Sequence, residues 1–275
     1  MRIRPIAATA AVTLLAGLGT AATTTSSEAA TSATATAAAK AAKYEVTATV
    51  SRTEPEQGEK ITIRGSVAPG AKGAEVVLQK RYGTTGKWTK ADTDTLNGKG
   101  KFKFTEKVDS VRFRQYRVLK PADDKAKSGK SKQLGVTVFG WRALTSLDPV
   151  SVTATSEVGS VGINGNTYEQ SIVANPVNSG SIAYNVTRGC KSFQGHAGLK
   201  DTSPLTATGD IKILTDTTQA YANSFGVTQS APVSLDLTGV FRITVEWTSH
   251  NTAGTEEDQS GALVALGTPR VLCSF

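Results

Sequence analysis

The sequence has few of the residues that build helices and few of those that carry out most enzyme chemistry. It contains one Met, two His and two Cys in 275 residues, is poor in Leu and Glu, and is rich in Val, Thr and Gly. This composition favours strands and turns, and no segment keeps a helical period. The length suffices for two domains with separate cores. We therefore expect an all-β protein of two domains.

Several absences argue against catalysis. His196 and His250 have no metal-ligating partner at the sequence spacing typical of a metal site. We expect His196 to be exposed. The sequence has no GxSxG motif, no credible Ser-His-Asp order and no phosphate-binding loop. The adjacent acids Glu256–Asp258 do not flank a bond as the two carboxylates of a glycosidase do, about 5–9 Å apart. We expect no catalytic residue, no metal site and no cofactor; for the acidic loop, a structural Ca²⁺ is the alternative to plain solvation.

The first 30 residues have the layout of a secretory signal peptide. Arg2 and Arg4 precede a short apolar run, Ile6–Leu18, and small residues follow. The run is short and Ala-rich for a membrane anchor, and no second apolar segment of spanning length follows; an uncleaved interfacial helix is the alternative. We expect a signal peptide over 1–30, a flexible Ala/Thr leader over 31–43, and a secreted, extracellular protein without a membrane span.

Residues 44–140 contain short alternating runs separated by Gly and Pro. About seven strands in roughly 100 residues, with such turns between them, are typical of an immunoglobulin-like or fibronectin-like sandwich. Tyr116 and Val118 resemble core-facing positions of the sixth strand of such domains. The segment has no cysteine, so it is similar to the cysteine-free bacterial kind, which serves as a spacer or docking module.

The net charge of +8 comes from this first domain, since residues 141–275 hold more Asp and Glu than Lys and Arg. Two basic groups stand out: Lys99–Lys107, where lysines alternate with Phe102 and Phe104, and the loop Lys120–Lys132. Their function would be contact with an anionic polymer of the cell envelope. Solubility and protection of an edge strand explain them more simply. No nucleic-acid partner is expected, because no such binding motif is present.

The second domain, residues 141–275, begins after Phe139, where the charge changes sign. Alternating runs continue to the end of the chain. In Ile182–Asp201 two such runs flank Arg188-Gly189, which predicts two half-buried strands and a turn at the centre of a second sandwich. In Phe241–Trp247 every second residue is apolar, which predicts a strand with one buried face.

The only two cysteines, Cys190 and Cys273, lie in this domain. An even pair in an exported chain predicts a disulfide, and two buried free thiols are the alternative. The bridge would close a loop of roughly 84 residues and contribute about 4–5 kcal/mol in the chain-entropy model.

The order of motifs in residues 143–275 resembles the NPCBM family. These are carbohydrate-binding modules found attached to family 98 and other glycoside hydrolases. The motifs that carry the resemblance are LTSLDPV, INGNTYEQSI, IAYNV, SFQGHAGLKD, DIKILTD and PVSLDLTGV. The resemblance implies a galactose-binding-type jelly roll that holds carbohydrate. Three positions depart from the family pattern: Asp216 is followed by Thr217 instead of Gly, Asp258 by Gln259 instead of His, and no His follows Tyr168.

Sugar recognition needs an aromatic face for the apolar side of the ring and polar groups for the hydroxyls. The mixtures near predicted loop ends supply the candidate carbohydrate-binding residues Tyr168, Trp247, His250, Asn251 and Asp258. Each aromatic could instead belong to the core, and Trp247 is the ambiguous one because it ends the buried face of its strand.

The sequence therefore predicts a secreted, non-catalytic protein with an immunoglobulin-like domain and a jelly roll that binds glycan or polysaccharide. A structural or adhesion protein of the cell surface without a sugar ligand is one alternative. An accessory subunit of a separate glycoside hydrolase is the other.

Overall fold

The structure is a computed structural model that describes residues 42–70, 72–154, 156–175, 179–251 and 261–274. Among these residues it contains strands and one short 3-10 turn, and no helix long and apolar enough to cross a membrane. The predicted signal peptide, and the predicted leader up to residue 41, lie outside the described residues. The predicted all-β class is confirmed.

The first sandwich contains eight described strands: β1 (Glu45–Val50), β2 (Lys60–Ala68), β3 (Glu75–Tyr82), β4 (Thr89–Thr95), β5 (Lys101–Lys107), β6 (Phe113–Lys120), β7 (Gly129–Lys130) and β8 (Leu134–Thr137). One antiparallel sheet has the order β1-β2-β5 and the other β4-β3-β6-β7, with β8 also on β6. Ile63, Leu78, Phe104 and Val118 are buried between them. This is the immunoglobulin-like sandwich that the alternating runs predict.

The two basic groups of this sandwich differ. Lys101 and Lys103 are exposed while Phe102 and Phe104 enter the core, as alternation predicts. Lys120, in contrast, is 3 % exposed. Its Nζ lies 2.9 Å from Oδ2 of Asp123 and 4.5 Å from the centroid of the Tyr44 ring. Lys120 is therefore buried and paired with Asp123, whereas Lys125, Lys127, Lys130 and Lys132 of the same basic group are exposed.

Asp123, which is exposed, accepts hydrogen bonds from the buried side chains of both Tyr44 and Lys120. The Tyr44 hydroxyl donates to both of its carboxylate oxygens, at 2.6 and 2.7 Å. These hydrogen bonds, and that from Lys120, lower the pKa of Asp123 well below its usual range, while the same carboxylate raises the pKa of Tyr44 to about 12. The cluster ties β1 to the loop after β6.

The second sandwich contains eleven described strands: β9 (Gly140–Ala143), β10 (Pro149–Val152), β11 (Ser156–Ile163), β12 (Asn166–Ala174), β13 (Ser179–Asn185), β14 (Cys190–Leu199), β15 (Ala207–Thr215), β16 (Thr218–Gly226), β17 (Ser230–Asp236), β18 (Arg242–Asn251) and β19 (Val264–Cys273). The sheets have the orders β10-β13-β18-β15-β16 and β11-β12-β19-β14-β17, with β9 also on β19. All pairs are antiparallel, and Tyr184, Phe193, Ile213 and Val245 are buried in the core. The predicted jelly-roll sandwich is confirmed.

The segment Ile182–Asp201 forms two strands, but they are not neighbours. β13 pairs with β10 and β18, whereas β14 pairs with β17 and β19 in the other sheet. The connection crosses between the sheets, with positive φ at Thr187 and Arg188. Each strand therefore covers the core from its own side, and periodicity alone does not distinguish this arrangement from a hairpin.

Cys190 and Cys273 stand opposite each other on β14 and β19 and form a disulfide. Both are buried, and their sequence separation is 83 residues. The predicted pairing is confirmed. It joins the last strand, β19, to its neighbour β14 in the same sheet.

The chain passes from the first sandwich to the second at Phe139. Its backbone N–H donates to Pro55 of the first sandwich, while Trp141 in β9 pairs with Leu272 of β19. Lys191 of β14 contacts the first sandwich, with its Nζ 4.2 Å from the Phe139 ring centroid and ion-paired to Glu54.

Candidate functional site

An open groove lies on the outer face of the sheet that contains β15, β16 and β18. In β15 and β18 the residues Ile211, Ile213, Val245 and Trp247 point into the core, so their sequence neighbours point outwards. The groove has a volume of about 480 Å³ and is lined by Asp210, Ile211, Lys212, Ala222, Asn223, Ser224, Glu246, Trp247 and Thr248. Its outward side chains come from three adjacent strands, so the sheet holds them at fixed spacing.

Lys212 and Glu246 occupy opposite positions on β15 and β18. Lys212 Nζ lies 2.7 Å from Glu246 Oε2, and the side chains are 40 % and 37 % exposed. An ion pair this exposed contributes at most about 1 kcal/mol to stability. Both groups are therefore accessible to a polar ligand.

Asp210 organises the other end of the groove. The Ser224 hydroxyl on β16 donates to Oδ1, and His250 Nε2 on β18 lies 2.9 Å from Oδ2. Because an ionised carboxylate only accepts, the His250 ring carries its proton on Nε2. The bond from Ser224, then that from His250, lowers the pKa of Asp210. Asp210 is consequently an ionised acceptor at neutral pH.

The groove suits a ligand rich in hydroxyl groups. Each hydroxyl can both donate and accept, and the groove offers carboxylates, an ammonium group and a hydroxyl, with the His250 imidazole beside Asp210. Asp210 and His250 are each 48 % exposed, so they retain surface for contact.

Trp247 does not present its ring to this groove. It is 3 % exposed and belongs to the buried core, and its indole N–H has no partner among the described residues. Gly180 on β13 stands opposite Trp247, and a Cβ there would lie 2.6 Å from a ring carbon. The ring thus occupies the space that a side chain at residue 180 would fill. The expectation that Trp247 forms a sugar platform conflicts with this burial.

His250, three residues further along β18, faces the other way. Trp247 and His250 were predicted to belong to one sugar-binding set. Alternation along the strand separates them, because the Trp247 side chain points into the core and the His250 side chain points out towards Asp210. Asn251 pairs through its backbone with Ala207 of β15, and its side chain lies outside the described residues. Asp258 and the neighbouring predicted acids Glu256 and Glu257 also lie outside them.

Tyr168 lies in the other sheet. The β11–β12 hairpin folds over the outer face of β14 and β19, and Tyr168 stacks on His196 with ring centroids 4.9 Å apart and planes 17° apart. A Cβ on Gly267 would lie 2.6 Å from the Tyr168 ring. Tyr168 therefore packs against the sheet and takes no part in the groove.

His196 differs from the expected exposed residue. It is half-buried beneath Tyr168, its Nε2 lies 3.0 Å from Ser230 Oγ, and burial lowers its pKa. Its role is in the packing of the hairpin.

Sequence reasoning missed four groove residues, Asp210, Lys212, Ser224 and Glu246. The alternation in DIKILTD and FRITVEW places the charged residues on the exposed face of each strand. It does not reveal that β15 and β18 are neighbours, which is what brings them together. Within the described residues, no group of three or more His, Cys, Asp and Glu could hold a metal ion.

Residues 139–262 match the family model of the NPCBM/NEW2 domain. This part of the chain is similar to that family, and we call it the NPCBM/NEW2 domain. The resemblance inferred from the motifs of residues 143–275 is confirmed. The groove, with all its lining residues, lies inside the NPCBM/NEW2 domain.

The chain is also similar to solved structures from Clostridium perfringens. CBM51 from GH95 in complex with methyl-galactose is 12 % identical, with a TM-score of 0.38, covering 48 % of this chain and 99 % of that one. The CBM51-2 and INT domains of ZmpB are 12 % identical, with a TM-score of 0.39, covering 58 % and 37 %.

A third structure, the M60 catalytic domain of ZmpB with CBM51-1 and CBM51-2, is 12 % identical, with a TM-score of 0.40, covering 84 % and 31 %. This chain therefore spans about a third of either ZmpB structure. No curated protein matches the sequence.

Proposed function

We propose that this protein is a secreted, non-catalytic carbohydrate-binding protein that holds glycan through its NPCBM/NEW2 domain. The observation that carries the proposal is the groove, in which three adjacent strands of this domain present fixed donors and acceptors. The resemblance to NPCBM modules implies carbohydrate as the ligand class.

In this proposal the hydroxyls of one sugar residue lie between Asp210 and Lys212. Asp210 accepts a hydroxyl proton and Lys212 donates to an oxygen atom, while His250, whose Nε2–H is given to Asp210, offers Nδ1 as an acceptor. We retain His250 and Asn251 of the predicted set because they lie on β18 or end it, and Asp258 because it follows in the next segment of sequence. We assign Tyr168 and Trp247 to packing.

The groove favours binding over hydrolysis. A glycosidase needs a carboxylic acid with a raised pKa to protonate the leaving oxygen. In the groove the pKa of Asp210 is lowered by Ser224 and His250, so Asp210 is not prepared to act as a general acid. Glu246 is paired with Lys212.

Secretion is supported by two features of the chain. The N-terminal sequence has charged, apolar and small-residue regions in the order of a signal peptide. The disulfide Cys190–Cys273 belongs to an oxidising compartment.

A glycan array probed with the full chain tests the proposal. We expect binding to at least one neutral glycan, and loss of that binding in Asp210→Asn combined with His250→Gln. Glu157→Gln is the control, because Glu157 is exposed on β11 of the other sheet. If the wild-type chain binds no glycan, the structural or adhesion alternative replaces the proposal; release of reducing sugar would contradict a non-catalytic role.

A further inference from the structure

The first sandwich carries a charged surface that the proposed function leaves unused. It lies on the outer face of the sheet β4-β3-β6-β7. Leu78 and Val118 point inwards from the paired strands β3 and β6, so the intervening side chains point outwards. We call the surface the arginine ladder; it consists of Gln79, Arg81, Trp88, Gln115, Arg117 and Gln133.

Trp88 holds the two arginines of the ladder. The guanidinium carbon Cζ lies 4.7 Å from the indole centroid for Arg81 and 4.1 Å for Arg117. Such cation–π contacts orient a planar guanidinium against the ring and leave its N–H edge directed away from it.

Glutamine side chains fix the same guanidinium groups. Arg81 Nε donates to Gln115 Oε1 at 2.8 Å and its Nη2 to Gln133 Oε1 at 3.0 Å. Arg117 Nε donates to Gln79 Oε1 at 2.8 Å. Both arginines are thus positioned by uncharged partners, which leave the positive charges in place.

The ladder lacks a counter-charge. In the described part of the chain, no Asp or Glu forms an ion pair with Arg81 or Arg117. Burial, and then the proximity of Arg81, lowers the pKa of Arg117. Two like charges held together without a carboxylate between them repel each other, and an external anion would relieve the repulsion.

We infer that the arginine ladder binds the carboxylate groups of an acidic polysaccharide. A guanidinium presents a planar pair of donors that matches a carboxylate in bidentate fashion, and the amides beside it suit sugar hydroxyls. The inference of an anion site depends only on the residues of the arginine ladder. The choice of a polysaccharide rests on the proposed function, because the ladder and the groove together would hold one polymer more tightly than either site alone.

The outer face of the other sheet supplies a matched control. Lys101 and Lys103 of β5 are exposed, alternate with buried Phe102 and Phe104, and carry the same total charge as the two arginines. Neither lysine forms an ion pair among the described residues. Removing two lysines therefore changes the net charge as much as removing Arg81 and Arg117.

Binding of the full chain to polygalacturonate tests the inference. We expect Arg81→Gln with Arg117→Gln to weaken binding about tenfold or more, and Lys101→Gln with Lys103→Gln to weaken it less than about twofold. Arg81→Lys with Arg117→Lys keeps the charge but loses the planar donor pair, and we expect it to bind several-fold more weakly than wild type. Equal thermal midpoints confirm that the variants compared are folded.

Three results would overturn the inference: no binding by the wild-type chain, equal losses in the arginine and lysine variants, or polyphosphate bound as tightly as polygalacturonate. Failure here is separable from failure of the proposed function. Asp210→Asn should leave the contribution of the ladder to polygalacturonate binding intact, and the arginine variants should bind a neutral glycan as wild type does.

Discussion

His250 Nε2 lies 2.9 Å from Oδ2 of Asp210 on the neighbouring strand, on the opposite face of the sheet from the buried ring of Trp247. The sequence places Trp247 and His250 three residues apart, but only the His250 side chain is exposed on the face of the sheet that carries the groove. The contact joins β18 to β15 at the end of the groove where Ser224 of β16 also meets Asp210. Three strands therefore define the position of one carboxylate.

The lowered pKa of Asp210 sets the pH range over which its contacts stabilise the fold. A carboxylate whose pKa is lower in the folded state contributes stability that is present above its unfolded pKa and is lost as pH falls through the folded value. We expect Asp210→Asn to lose less than about 1 kcal/mol at pH 6, because the pair is half-exposed. The difference should shrink as pH falls below about 4. Urea unfolding of both proteins measures it; a difference that grows between about pH 4 and pH 2 would be inconsistent with this assignment.

The half-buried His196 should make the free energy of unfolding depend on pH. Burial lowers its folded pKa, so the unfolded chain binds more protons as pH falls through about 6.5. We expect the wild-type chain to lose more stability between pH 7 and pH 5 than His196→Gln does. Chemical unfolding at the two pH values provides the comparison. Parallel losses in both proteins would show that His196 is not the titrating group.

The disulfide should be a main source of stability for the second sandwich. Replacing both Cys190 and Cys273 by Ser removes a link that spans 83 residues, and we expect a loss of about 4–5 kcal/mol. The denaturant midpoint measures the loss. Reductant should destabilise the wild-type chain similarly and leave the double variant unchanged; a reductant effect on the variant would contradict the assignment.

Gly180 should tolerate no side chain. A Cβ there would lie 2.6 Å from both the Trp247 ring and the Ala154 side chain, so we expect Gly180→Ala to cost about 1–3 kcal/mol through overpacking. Gly159→Ala is the matched control, since a Cβ on Gly159 meets no atom within 4 Å. Thermal or chemical unfolding distinguishes them. Equal effects of the two substitutions would mean that the Trp247 ring is not confined by the backbone at residue 180.

Much of the fold could be predicted from alternation of apolar and polar residues. Alternation over Glu75–Tyr82 predicts a strand with the observed bounds, and alternation over Lys101–Val108 predicts a strand that ends at Lys107 in the structure. The short edge strands β7, β9 and β10 were missed because two to four residues carry no measurable period. Pairing between distant strands is also absent from a local pattern, so the predicted turn between β13 and β14 did not reveal that they lie in different sheets.

The candidate site was less predictable than the fold. Its charged residues alternate with apolar ones, as they do in any strand with one exposed face. They come together only because β15 pairs with both β16 and β18. Of the predicted carbohydrate-binding residues, Trp247 was ambiguous because its strand ends at a predicted loop. Burial against Gly180 decides its position, and that contact comes from a strand far away in the sequence.

The most direct test of the central claim is calorimetric titration of the full chain with a neutral glycan that it binds. The claim is that the groove of the NPCBM/NEW2 domain holds this glycan. Asp210→Asn with Glu246→Gln changes the two carboxylates of the groove, and Glu157→Gln changes one on the other sheet. We predict about tenfold or greater loss of affinity for the groove variant, corresponding to about 1.4 kcal/mol or more, and no change for the control. Wild-type affinity in the groove variant would contradict the account and place the ligand elsewhere on the domain.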